Sequence, residues 1–332
     1  MKFGQVPVAE AEGTILAHSL HVGGRRIAKG TELTSIDLAD LNADGFSTVT
    51  VARLEAGDVH ENEAALALVR KIVPDPVAQR VRISGAGAGR VNLYAETCGV
   101  VQLDPARLQA VNEVDPMISI ATVPNWHRVD QGGMIATIKI ISYAVPQAAV
   151  QRAGEVAGGA LKIIAPVYGS ATLIETRVNA DAPSDKGRAA MAGRLHRMGL
   201  ELSPRVVVPH REEELAQAIM DAPGELVLIL TGSATSDPRD VAPQALRVAG
   251  GEVIRFGMPV DPGNLLFLGS LGDKPVVGLP GCARSPALNG ADWVLERVIC
   301  GIDVSSRDIA AMGVGGLLKE IPTRPMPRRS GG

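Results

Sequence analysis

From residue 159 onward, short apolar runs alternate with stretches in which apolar positions recur every three or four residues. "ALKIIAPVYG", "RVVVPH", "ELVLILTG", "EVIRFGMPV", "NLLFLGS" and "KPVVGLPG" read as strands. "SDKGRAAMAGRLHRMGL", "REEELAQAIMDA", "VAPQALRVAGG" and "SPALNGADWVLERVICG" read as helices. Ser184 or Asp185 can cap the first helix and Gly199 can stop it, while Ser285 and Pro286 fit the cap and first residue of the last. This alternation predicts α/β class: a three-layer αβα domain on a mostly parallel sheet, residues 159–305. In such sheets ligands bind outside the carboxyl ends of the strands.

The rhythm upstream is different. Residues 1–75 read as a small α/β unit, with Thr34 or Ser35 capping a helix, Gly45 stopping it, and "STVTVARL" alternating as a strand. A second helix shows an apolar stripe of Ala64, Leu66, Leu68, Val69 and Ile72, and Asp58 with Glu61 fits a capping box at its start. Pro74-Asp75-Pro76 marks a boundary. Residues 76–158 are β-rich, with one short helix near "DPARLQAVNEV". Residues 306–332, ending in "EIPTRPMPRRSGG", read as a tail or linker.

Composition narrows the function classes. Hydrophobic residues make up 46% of the 332, but aromatics only 3%, so the cores must be aliphatic. Few rings and a net charge of −3 argue against a nucleic-acid partner. No apolar run is long enough to span a membrane, and Pro7, Glu10 and Glu12 stand where a signal peptide needs apolar residues. Cys98, Cys282 and Cys300 form no CxxC pair, so neither a zinc site nor a disulfide framework is indicated. A soluble, reduced, cytoplasmic protein is expected.

Four loops compete for the chemistry. "SGAGAGR", residues 84–90, has dinucleotide-loop glycines but leads into a strand-like segment, which favours a β-turn. "TGSATSDPRD", Thr231 to Asp240, leaves the most apolar strand and enters a helix. Its small residues Gly232, Ser233 and Ala234 allow close backbone approach to an anion, which Arg239 can pair with. Asp237 and Asp240 are candidates to bind Mg2+ or orient a hydroxyl. The plainer reading is that Asp240 caps the helix and Arg239 is solvated. "MPVDPGNLL" places Asp261 and Asn264 about a turn containing Gly263. "VVGLPGCARSP" ends a strand at Pro280 and Gly281 and puts Arg284 before a helix start. Cys282 reads as a packing residue rather than a nucleophile, since no histidine is near in sequence. His210 ends a strand on the expected ligand edge, whereas His60, Glu61 and Glu63 read as a capped, solvated helix start rather than a metal site. The three loops after residue 230 should open at one edge, which points to a pocket for a phosphorylated ligand.

At these residues the chain resembles the molybdopterin-binding family of molybdenum-cofactor biosynthesis. Thr231, Gly232, Pro238, Arg239 and Asp240 are similar to the Thr-Gly-Gly … Pro-Arg-Asp loop of its adenylyltransferase branch. Pro262 and Gly263, then "KPVVGLPG", resemble its molybdenumtransferase branch, as does "VPVAEAEGTILAHSL" near the start. Ser233 stands where the family has glycine, and Cys282-Ala283 where it has Asn-Pro. The resemblance implies a molybdopterin ligand or substrate held by the three loops. Arg239 and Arg284 would face its phosphate, Asp240 would hold Mg2+, and Ser233, Ala234 and Gly281 would lend backbone donors. It also implies transferase chemistry, a nucleotide or molybdate as second substrate, a homo-oligomer, and a nucleotidyltransferase partner or fused domain. The alternatives are a non-catalytic sensor of the finished cofactor and, ranked last, an interaction scaffold using the β-rich region.

Overall fold

A computed structural model describes residues 1–318. The chain divides into two compact units, residues 1–97 with 101–163, and residues 98–100 with 164 onward.

The first unit has two buried cores. The smaller lies within residues 8–51, where Val8, Leu16, Ile27, Leu41 and Val51 pack between a three-stranded antiparallel sheet and the helix Ser35–Ala43. Thr34 and Asp37 cap that helix reciprocally. The larger core joins the helix Glu61–Ile72 to the β-rich region, through Leu68, Val69, Ile72, Val91, Leu93, Ile118 and Ile138. The cap of this helix differs from expectation. His60 Nδ1 accepts the Asn62 N–H at 3.3 Å. Asp58 instead lies 2.7 Å from the N-terminal amine and accepts the Glu55 N–H, which draws it away from the helix. The "SGAGAGR" segment is a hairpin connection between the antiparallel strands Val81–Ile83 and Arg90–Ala95. Ala88 and Gly89 adopt left-handed φ of 48° and 68° there, the geometry of a tight hairpin turn.

The second unit is the αβα domain. Its sheet runs, from one edge, Glu201–Leu202 and Val206–Pro209, then Ser170–Arg177, Leu226–Leu230, Lys274–Leu279, Phe267–Leu271 and Glu252–Phe256. Pairings are parallel up to Lys274–Leu279, and Phe267–Leu271 is antiparallel to both its neighbours. Helices Glu212–Met220 and Val241–Val248 bury Leu215, Ile219, Ala245 and Leu246 against Val227, Ile229 and Val276. Alternation sends Leu228 and Leu230 to the opposite face, where Gly187 of the helix Asp185–Arg197 meets the Leu230 side chain.

Two elements depart from the sequence reading. Leu161–Ile164 forms a strand outside this sheet, and the strand beside Leu226–Leu230 is Ser170–Arg177, which periodicity did not single out. Thr172, Glu175 and Thr176 break its apolar run, yet all are buried. Glu175 pairs with Arg205 at 2.8 Å, and both threonine hydroxyls are hydrogen-bonded. The last helix starts at Gly290 with Asn289 as its cap, not at Ser285-Pro286. Asn289 and Asp292 complete a capping box, while Gly281–Arg284 forms a separate 3-10 turn.

Candidate functional site

Four strands of one sheet deliver their following segments to the same edge. The Leu226–Leu230 strand is apolar on both faces and ends at Thr231, whose hydroxyl turns inward to donate to the Ser233 carbonyl at 2.5 Å. Gly232 is pressed onto the neighbouring strand, where an added Cβ would lie 2.7 Å from the Thr176 carbonyl oxygen. Its N–H donates to Thr176 Oγ1 at 2.8 Å. Gly232 thus seats the loop, and its donor is already used. Ser233, Ala234, Asp237 and Arg239 are exposed.

Asp240 caps the helix Val241–Val248. One carboxylate oxygen accepts the Val241 N–H at 2.7 Å, the other the Ser236 N–H at 3.0 Å. Asp237 accepts the Arg239 N–H at 2.7 Å. Both carboxylates keep lone pairs, so both can still share a cation with a ligand oxygen. Among the described residues no group of three or more His, Cys, Asp or Glu could hold a metal by itself. His60, Glu61 and Glu63 do not form one; Glu61 pairs with Lys139 at 3.2 Å.

The loop between Phe256 and Phe267 carries Asp261, Gly263 and Asn264. Asp261 and Asn264 are exposed. The Asp261–Pro262 peptide is cis, and the Pro262 carbonyl accepts the Gly290 N–H at 2.8 Å. Gly263 packs so closely there that a Cβ would lie 2.8 Å from Gly290 N. Asn264 Nδ2 donates to the Met258 carbonyl at 3.3 Å.

The third loop begins at buried Pro280 and exposed Gly281. Arg284 crosses to the first loop and donates to the Thr231 carbonyl at 2.5 Å. This bond joins two of the three loops directly. Arg194 holds the third loop from the helix Asp185–Arg197. It pairs with Asp292 at 2.5 Å and donates to the carbonyls of Ala283 at 3.0 Å, Ser285 at 2.8 Å and Ala287 at 3.0 Å. Nothing in the local sequence marks Arg194, because Asp292 lies 98 residues away. Thr176 and Arg205 were equally silent, their partners being 34 and 30 residues distant.

Burial raises the Cys282 thiol above its ordinary range, and the Asp292 and Asp261 charges push the same way. A thiol so placed is not a thiolate nucleophile. Burial pushes Cys300 from 9.0 up to about 12. The stabilisation from its neutral form is complete below the unfolded value and lost as pH climbs towards the folded one. Iodoacetamide at mildly alkaline pH is expected to label both cysteines slowly in the folded protein and rapidly after denaturation. Fast labelling of folded Cys282 would show an activated thiol instead.

A mostly parallel sheet with three loops at one edge, two of them bonded together, defines an α/β domain. Residues 170–298 match the family model described as "Probable molybdopterin binding domain". Residues 5–53 match a domain of unknown function. Similar solved structures include a molybdopterin biosynthesis moea protein from Pyrococcus horikosii, at 14% identity and a TM-score of 0.31, covering 90% of this chain and 75% of that one. Molybdenum cofactor biosynthesis protein B is 16% identical with a TM-score of 0.31, covering 41% of this chain and 96% of that one. A molybdenum cofactor biosynthesis protein from Pyrococcus furiosus is 12% identical with a TM-score of 0.23, covering 90% and 61%. No curated protein matches the chain significantly. Among the described residues, no helix is long and apolar enough to cross a membrane.

Proposed function

We propose that this protein binds molybdopterin in molybdenum-cofactor biosynthesis, at the sheet edge formed by Thr231–Asp240, Asp261–Asn264 and Pro280–Ser285. The observation that carries the reading is the Arg284 bond to the Thr231 carbonyl, which holds a cationic side chain between two glycine-bearing loops of the matched domain. Arg284 and exposed Arg239 would neutralise the terminal phosphate. The backbone of Ser233, Ala234 and Gly281 would contribute donors, and the helix Asp185–Arg197, whose Ser184 makes no side-chain cap, would add its N-terminal dipole. Mg2+, where present, would be held by Asp240 and Asp237 only together with phosphate oxygens, its usual coordination, and would screen phosphate charge.

Two activities fit this site: transfer chemistry on the bound pterin, with a nucleotide or molybdate as second substrate, and binding alone. The doubly hydrogen-bonded Asp240 favours binding. In the first case the product would pass to a nucleotidyltransferase, as a partner or a fused domain; a homo-oligomer is also proposed. Titration of the full chain with molybdopterin is expected to saturate. Asp240→Ala should lower helix stability by about 1 kcal/mol through the lost cap. If Asp240 also holds Mg2+, the same change should abolish Mg-ATP-dependent adenylylation. Wild-type protein that does not bind ends the reading, while turnover lost in Asp240→Ala removes the binding-only version.

A further inference from the structure

The strand Val206–Pro209 ends at His210 on the same sheet edge, and this residue belongs to no loop discussed so far. Its N–H donates to the Arg177 carbonyl at 2.8 Å, continuing the parallel pairing and fixing where the ring starts. Nδ1 lies 2.8 Å from Thr176 Oγ1. Thr176 is 0% exposed, and the same oxygen accepts the Gly232 N–H at 2.8 Å. The ring is therefore linked through one buried hydroxyl to the loop that opens the candidate pocket, while His210 itself stays half-exposed.

A buried hydroxyl needs an acceptor for its proton. Gly232 N–H is a donor and uses the oxygen's acceptor side. Among the described residues the remaining partner is His210 Nδ1, so Thr176 donates and Nδ1 accepts. Neutral His210 then carries its proton on Nε2. An Nδ1–H would leave the Thr176 proton without an acceptor in a buried place, which is unfavourable.

We infer that His210 is a ligand-reading residue of this edge: an imidazole whose Nδ1 is held by Thr176 so that Nε2–H donates to an oxygen acceptor of the ligand, a phosphate oxygen or a ring carbonyl. The inference rests on the binding reading above and adds to it a donor at the strand ends, beside the three loops. It also gives the buried Thr176 hydroxyl and His210 a shared role where two neighbouring parallel strands end. The energetic logic is that a donor fixed before binding loses little freedom when the ligand arrives.

The test uses the two amides that mimic the two ring nitrogens. Glutamine can place its amide near Nε2, and asparagine near Nδ1. His210→Asn is expected to keep the Thr176 contact but weaken molybdopterin binding about tenfold, the loss of one hydrogen bond to a ligand. His210→Gln is expected to stay within about threefold of wild type by the same measure. Nitrogen-15 NMR of the full chain should show His210 protonated at Nε2, and Thr176→Val should abolish that preference. Repeating the titrations with dephosphorylated molybdopterin locates the acceptor: an Asn penalty that vanishes assigns the phosphate, one that persists assigns the ring. Wild type that binds no molybdopterin overturns the function and this inference together. Wild type that binds, with both variants unchanged or both equally weakened, overturns the inference alone, as does an Nδ1-protonated ring.

Discussion

Arg194→Ala is expected to destabilise the second unit by about 3–5 kcal/mol, the usual result of removing one partner of a buried ion pair. For a unit of this size that corresponds to a fall in Tm of roughly 10 °C. Asp292 is 6% exposed, and alanine would leave its charge without the guanidinium. The carbonyls of Ala283, Ser285 and Ala287 would lose their donor in the same step. Those carbonyls belong to the segment carrying Cys282, Arg284 and Ser285, so the loop should loosen and ligand affinity should fall with stability. Arg194→Lys separates the two effects. An ammonium can still face Asp292 but cannot span three carbonyls as a planar fork does. Lysine should therefore recover part of the stability and little of the affinity. Thermal melts beside molybdopterin titrations would decide. An alanine variant that melts with wild type would show that Arg194 is not what holds this loop.

Gly278→Ala is expected to cost about 3 kcal/mol, at the upper end of ordinary overpacking. Gly278 pairs with Phe267 on the adjacent antiparallel strand. An added Cβ would lie 1.9 Å from Phe267 Cε1, and that ring is buried in the core below the sheet. Neither can yield without moving a central strand. The second glycine of the same motif differs: at Gly281 the nearest atom to an added Cβ is Arg284 Nη1 at 3.7 Å. Gly281→Ala should fold normally, so any loss of binding there reports on the ligand. The packing explanation has its own control. In the double variant Phe267→Ala with Gly278→Ala, the two costs should not add, because each change relieves the other, and the coupling should exceed about 1 kcal/mol. Additive costs measured in denaturant would rule out the clash as the cause.

Gly278 and Gly281 share one motif but meet different surroundings. "GLPG" marks a strand end with a loop behind it, and both features are present. The motif does not reveal that one glycine makes room for Phe267 while the other faces solvent. Asp240 was legible as a cap because its partners, Ser236 and Val241, lie within four residues. The "SGAGAGR" segment was legible as a turn for the same reason, since Gly87 and Arg90 bond to each other three residues apart. Ser170–Arg177 was not, because a strand containing Thr172, Glu175 and Thr176 has no apolar period to find. Those residues are buried only because Arg205, Ser203 and His210 satisfy them from elsewhere. The misplaced start of the last helix has a related cause. Ser285-Pro286 has suitable cap chemistry, but Arg194 claims the Ser285 carbonyl and Asn289 with Asp292 forms the better cap.

By itself, the sequence determined the α/β class, the order of most elements and the three segments that gather at one sheet edge. Helical period, strand runs and caps act over a few residues, so these features are written locally. Only the tertiary structure decided which polar groups at that edge are committed. The Gly232 N–H is taken by Thr176, Arg284 is tied to Thr231, and Arg194 is spent on the third loop. Each of those bonds joins residues more than fifty positions apart. Such pairings depend on how strands and helices come together, which local periodicity does not encode.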